Sequence, residues 1–330
     1  MLFNWVQRRR LFYIFSGILI LIGLIAIGIS ISQYPEKSPV RLGVDFTGGT
    51  LFEVRFTGDS QTLDIAEVGS AFSNAGLEDV RVQKISTDEA NVTRWQIRTN
   101  FVSPDSPTYS AIVTNLEGLA TANNITFDRV FFNNNQQSVS PTVGNEVTTA
   151  AIVATIIASL LVLGFIAVAF RNVPNSLRYG ACAVIAMLHD ILIMIGAMSL
   201  LGLLLGWEAD SLFLTGLLTV VAYSVQDSIV MFDRIRENTQ RHRGEPYETI
   251  VNRSITETVQ RSVTTQICVA FVLLALFLMG SGSIRVFVGV LLIGLISGTY
   301  SSIGIAIPLL VSWERGEIPF INQGRKVKTA

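Results

Sequence analysis

LFYIFSGILILIGLIAIGISIS, residues 11–32, runs for 22 positions without a charged side chain. At 1.5 Å per residue, a helix of that length reaches roughly 33 Å, enough to cross a hydrocarbon core of about 30 Å. The stretch is too long for the apolar region of a secretory signal, and no small-x-small cleavage site follows it, so it reads as a retained membrane anchor. Five more stretches share its character, near 147–170, 179–206, 211–233, 258–280 and 286–312. The composition agrees: of 330 residues, 50% are hydrophobic and 15% charged, against about 25% charged in an ordinary soluble domain. That excludes a typical soluble globular protein. It also excludes a disordered chain, which needs low hydrophobicity and high net charge. The net charge of -1 provides no basic surplus for a nucleic-acid partner. Two cysteines, Cys182 and Cys268, are too few for a disulfide scaffold or a cysteine zinc site.

Lys and Arg near the span ends set the orientation. Fourteen gather on one side: Arg8–Arg10, Arg171, Arg178, those between 234 and 253, and those from Arg315 onward. The short loops on the other side, near 207–210 and 281–285, hold only Arg285. Six spans with both termini cytoplasmic fit this count. The expected parts are therefore a cytoplasmic N-terminus with the first span (1–32), an extracytoplasmic domain (33–145), a bundle of spans two to six (146–312) and a cytoplasmic tail (313–330).

The extracytoplasmic segment carries more than half of the acidic residues. Period-two patterning predicts strands at 50–56, 78–86, 93–100 and 126–133, and amphipathic patterning predicts helices at 62–75 and 106–121. The order β-α-β-β-α-β describes a small ferredoxin-like α+β unit. Pro35 and Pro39 before it, and NNNQQS (133–138) after it, read as linkers. Gly48-Gly49 lacks the Lys-Ser/Thr of a phosphate loop and precedes a strand, so it reads as a tight turn into an edge strand.

Ionisable groups at membrane depth cost roughly 2.5–3.5 kcal/mol on insertion scales and mark function by default. His189 and Asp190 lie near the middle of the third span. Asp227 lies in the fourth, where Thr219, Tyr223 and Gln226 share its helical wedge. Arg261 opens the fifth, and the short connection between spans four and five lets it approach Asp227. A carboxylate between apolar surroundings and a guanidinium feels opposed effects on its charged form, the setting for binding and releasing a coupling ion. Asp227 is the expected coupling group, with Arg261, Gln226 and Tyr223 beside it and Asp190 and His189 in support. A structural ion pair, snorkelling of Arg261 and a packing role for His189 are the bland readings of the same residues. Gly294-x-x-x-Gly298 in the sixth span is a close-packing motif that implies a helix neighbour. An intramembrane aspartic protease would need a Gly-x-Gly-Asp context, which YSVQD (223–227) does not provide, so no enzyme is expected. No cofactor is expected either. A structural membrane scaffold is the remaining alternative to an ion-coupled transport component.

The motifs GVDFTGGTLFEV (43–54), PTVGNEV (141–147), MLHD (187–190), AYSVQDSIVMFDRIREN (222–238) and NRSITETVQRSVTTQ (252–266) occur in this order. Together they resemble the SecF branch of the SecD/SecF family, and the resemblance covers nearly the whole chain. It implies one six-span half of the resistance-nodulation-division architecture, in a bacterial plasma (inner) membrane or a thylakoid-type internal one. It implies SecD as a partner, association with the SecYEG channel, and use of the proton gradient to assist release of an exported polypeptide. Sodium is the alternative coupling ion. The family's coupling aspartate falls on Asp227 and its basic residue on Arg261. Ala222 stands where the family has Gly and Gln226 where it has Asn, which lengthens the reach of the amide. A small-molecule or lipid exporter of the same superfamily is the alternative, although such exporters carry two six-span halves in one chain.

Overall fold

The computed structural model describes residues 4–58, 63–78, 80–85, 92–169, 171, 176–280 and 282–317. Among them are six helices long and apolar enough to cross a membrane: Val6–Gln33, Pro141–Ile166, Leu177–Leu205, Ser211–Arg241, Tyr247–Met279 and Ser283–Glu314. The chain divides into two compact units, one of Leu42–Ile152 and one of Met1–Arg41 with Val153–Ala330.

In the membrane unit, α1 (Arg9–Gln33) follows a short 3-10 turn, Val6–Arg8. It packs on the third-span helix, α7 (Ser176–Leu205). Their seam is built from small residues. Ser16 Oγ lies 2.8 Å from His189 Nε2, and Ser30 Oγ 2.7 Å from Ser199 Oγ. Between these, Gly23 meets Gly196, where an added Cβ on Gly196 would sit 2.7 Å from the Gly23 Cα. Small residues let the backbones close, and hydroxyls satisfied across the seam avoid bare polar groups in lipid. The remaining α1 surface, including Leu11, Ile18 and Ile25, is exposed apolar side chain suited to acyl chains.

In the other unit, a short helix α2 (Val44–Thr47) leads through Gly48 and Gly49 into β1 (Gly49–Thr57). Both glycines have positive φ, 73° and 117°, and a Cβ would strike Pro141 at the first and the Thr99 carbonyl at the second. Glycine is therefore required twice over. The unit continues with α3 (Ile65–Ser73), β2 (Arg81–Ile85), β3 (Val92–Thr99), α4 (Pro107–Ala122), β4 (Thr126–Phe127), α5 (Arg129–Asn134) and β5 (Gln136–Val139). The sheet order is β2-β3-β1-β4, every neighbouring pair antiparallel, with β5 also on β1. This is the ferredoxin-like order. Its core is one face of the sheet under α3 and α4: Phe52, Val54, Phe56, Trp95 and Ile97 against Val68, Phe72, Ile112 and Leu116.

Three sequence expectations change here. β1 is a central strand, flanked by β3 on one side and by β4 and β5 on the other. The strand expected over 126–133 stops at Phe127, because the Asp128 carboxylate accepts from Phe131 N at 2.9 Å and starts α5. The linker expected at 133–138 is the end of α5 followed by β5, whose residues Gln136–Val139 pair with Phe52–Gly49. Asp64 precedes α3 without a side-chain cap bond.

The remaining membrane helices are α6 (Pro141–Ala169), α8 (Ser211–Arg241), α9 (Tyr247–Met279) and α10 (Gly282–Ser301). A π turn (Ser302–Ala306) continues α10 into α11 (Ile307–Glu314). Pro308 accounts for the widening, since it has no N–H for the carbonyl four residues back and its ring crowds that carbonyl. α10 packs against α7, α8 and α9. Its Gly294 sits on Val220 and its Gly298 on Ser224, so α8 is the neighbour that the glycine motif implied. α8 and α9 run beyond the expected spans into a polar hairpin. There, Arg234 meets Glu257 at 2.6 Å, Asn238 donates to Ser254 at 3.0 Å, and Arg253 meets Glu245 at 3.0 Å.

Candidate functional site

α7, α8 and α10 bring a polar cluster to the centre of an apolar bundle. Asp190 on α7 is fully buried. Its Oδ2 accepts from Ser224 on α8 at 2.5 Å and from Ser301 on α10 at 2.6 Å. Its Oδ1 accepts from Ser297 at 2.6 Å and lies 3.1 Å from His189 Nδ1. These four contacts occupy the lone-pair directions of a carboxylate. The other ring nitrogen of His189 reaches Ser16 on α1. Ser16 donates to the Tyr300 hydroxyl at 3.2 Å, and Tyr300 donates to the Phe12 carbonyl at 2.7 Å. A continuous hydrogen-bonded chain thus joins α8 and α10 to α1 through one acid and one imidazole. His189 is satisfied on both nitrogens, so its packing role and its place in this chain are one arrangement.

Asp227 is placed differently. It lies one turn along α8 from Ser224, half-buried, and its Oδ2 accepts from Gln266 Nε2 on α9 at 2.9 Å. The structure does not bring Arg261 to it. α9 presents Val251, Ile255, Thr258, Ser262 and Gln266 as its buried stripe, and Arg261 is exposed outside that stripe. Five residues turn a helix by 500°, so Gln266 and Arg261 point about 140° apart. Tyr223 and Gln226 lie on the exposed flank of α8, Tyr223 at 39% exposure. With Thr215, Leu218, Thr219 and Ala222 they line a surface groove of about 570 Å³. The residues that spacing did not single out are Gln266, Ser16, Ser224, Ser297, Ser301 and Tyr300. Hydroxyls in spans usually bond their own backbone four residues back, as Thr215 and Thr219 do here. Only the helix neighbours reveal which ones turn inward.

Residues 120–316 match the family described as protein export membrane protein SecD/SecF, C-terminal, and residues 37–59 match the SecD/SecF GG motif. The chain belongs to the SecD/SecF family. Within the family, it is similar to protein translocase subunit SecF of Thermobaculum terrenum, at 43% identity over 94% of this chain and 93% of that protein. SecF of Anaerolinea thermophila is 42% identical over 95% of each. Among solved structures, SecDF of Thermus thermophilus, a translocon-associated membrane protein, superimposes with a TM-score of 0.72 at 26% identity. The match covers 96% of this chain but 39% of that one, so this chain spans about two fifths of the SecDF length. The double glycine that the GG motif names is the pair whose positive φ angles and close approaches open β1.

Proposed function

We propose that this chain is the SecF-type subunit of a Sec protein-export translocase, and that it couples an ion gradient to the late stage of polypeptide translocation. Its partner is a SecD-type six-span chain, the pair working beside a SecYEG channel in a bacterial plasma or thylakoid-type membrane with both termini cytoplasmic. Family membership supports the translocase assignment. The observation that carries the coupling assignment is Asp227: a carboxylate at membrane depth with a single hydrogen-bond partner among the described residues. Thr219, Tyr223 and Gln226 support the partner assignment, because polar groups on an exposed helix flank within the bilayer call for a protein neighbour rather than lipid. One charge moved through the membrane potential supplies about 2.3 kcal/mol per 100 mV, enough to bias a conformational cycle. Moving a proton on and off Asp227 in each cycle would turn that bias into directed motion of the extracytoplasmic unit. The test is Asp227→Asn. Gradient-dependent stimulation of export is lost while assembly with the SecD-type partner is retained, and undiminished stimulation in the variant sinks the proposal.

A further inference from the structure

Gln266 is 9% exposed, and its two amide atoms have unlike fates. Nε2 donates to Asp227, whereas Oε1 is buried and no described group donates to it. Buried polar atoms are nearly always paired, so an amide satisfied on one side only demands a reason. The nearby hydroxyls of Thr299 and Tyr300 donate elsewhere, to the Leu295 and Phe12 carbonyls. Gln266 lines a cavity of about 340 Å³ between α1, α9 and α10 whose other walls include Phe12, Ile267, Leu295 and Ile303.

A carboxamide is a donor and an acceptor mounted on a two-fold torsion, and a half turn exchanges the two with no change of shape. An ionised carboxylate only accepts, and so takes the NH2. A neutralised one presents the opposite need. Whether a proton sits on Oδ2 or a sodium ion lies against it, the facing group must supply an oxygen. We propose that Gln266 is the positioning residue that answers the charge state of Asp227, turning its amide so that Nε2 faces the free carboxylate and Oε1 faces the occupied one. The proposal rests on the coupling role given to Asp227 above. In the free state, the half of the amide left without a partner is the buried Oε1; after the turn it is the NH2. Among the other titratable groups on elements packed around this pair are Tyr223 and Asp233 on α8, Glu257, Arg261 and Cys268 on α9, Asp190 and His189 on α7, and Tyr300 on α10. Of these, Asp190, His189 and Tyr300 are engaged in the central chain, and Glu257 is paired with Arg234.

The experiment is infrared difference spectroscopy on the full-length protein in lipid nanodiscs, with carbon-13-labelled glutamine. One arm titrates acid, and the other adds sodium at fixed pH. The expected result is a glutamine carbonyl band that shifts with the same midpoint as the Asp227 carboxyl band, in whichever arm Asp227 responds. That shift is absent in Asp227→Asn and Gln266→Leu, and persists in Gln226→Leu. Gln266→Leu also loses gradient-dependent export stimulation. A carboxyl band that titrates while every glutamine band stays still overturns the inference and leaves the role of Asp227 standing. A glutamine band removed by Gln226→Leu overturns it too. If Gln266→Leu fails to fold, the labelled parent protein with Asp227→Asn and Gln226→Leu decides the matter. An Asp227 silent in both arms removes the coupling reading itself, and this inference with it.

Discussion

Replacing the Asp190 carboxylate by an amide sets an NH2 against two of the groups now directed at that acid, either Ser224 and Ser301 or Ser297 and His189. Asp190→Asn should therefore destabilise the bundle by about 1–3 kcal/mol, the cost of leaving buried donors unmet. The readout is thermal unfolding in detergent. Asp227→Asn removes far less, because one partner faces that carboxyl and an amide oxygen can still accept from it; the expected change is under about 1 kcal/mol. The two acids are thus told apart by measurement, one held by four contacts and the other by a single amide. The sequence singled out Asp227 because it sits in a recognisable run on an otherwise apolar helix. It marked Arg261 as the partner because opposite charges a short connection apart invite pairing. What decided against Arg261 was helical phase, visible only after α9 is seen to bury the stripe that ends in Gln266. That stripe is written in the sequence as small or polar residues at 258, 262 and 266, but which neighbour it faces is not.

Helix α1 is held to α7 by a narrow strip, so a single bulky insertion there should have a large effect. Gly196→Leu places side-chain atoms where Gly23 now lies. Overpacking of this kind costs roughly 1–3 kcal/mol, and the seam above and below should part with it. Cysteines placed at Ser30 and Ser199, whose hydroxyls are 2.7 Å apart, should cross-link readily in the parent and poorly in the variant. In the sheet-bearing unit the comparable element is α5. Its first turn depends on Asp128, held below the usual carboxylate range first by the Phe131 N–H and then by Arg55. A carboxyl whose folded-state pKa is depressed adds stability above its unfolded value, near 3.9, and loses it as the pH falls through the folded value. Asp128→Ala should cost about 1–2 kcal/mol at pH 7, and the gap to the parent should close below about pH 4. Hydrogen exchange at α5 and β5 reads it. Glu53 on β1 runs the other way: burial raises its pKa, with Arg94 opposing, so its charged form weakens the fold as the pH rises. The same segment shows where pattern reading fails. TFDRVFFN alternates like a strand, yet one carboxylate at Asp128 closes a helical turn, so the strand ends after β4 and the rest of the segment joins α5.

At the scale of the whole chain, the six apolar helices and the sheet unit between the first and second were legible from hydropathy and period alone, because lipid leaves so few solutions for a backbone. The lengths of α8 and α9 were not, since their ends leave the apolar pattern and are held by ion pairs instead. At least seven of the fourteen basic residues counted on one side are paired among the described residues. Arg9 meets Glu248 and Glu317, Arg178 meets Glu314, and Arg315 meets Glu248 and Glu317. Arg234, Arg236, Arg241 and Arg253 are paired within the hairpin. On the proposed orientation, these arginines have two successive jobs. During biosynthesis they are bare cations that keep their loops from crossing, and acidic residues count for little at that stage. Once the helices meet, the same cations are neutralised by acids brought from the hairpin and from the end of α11. The compass that directs insertion is dismantled by folding, so a nascent chain and a finished one present different charge to the anionic lipid surface beside them.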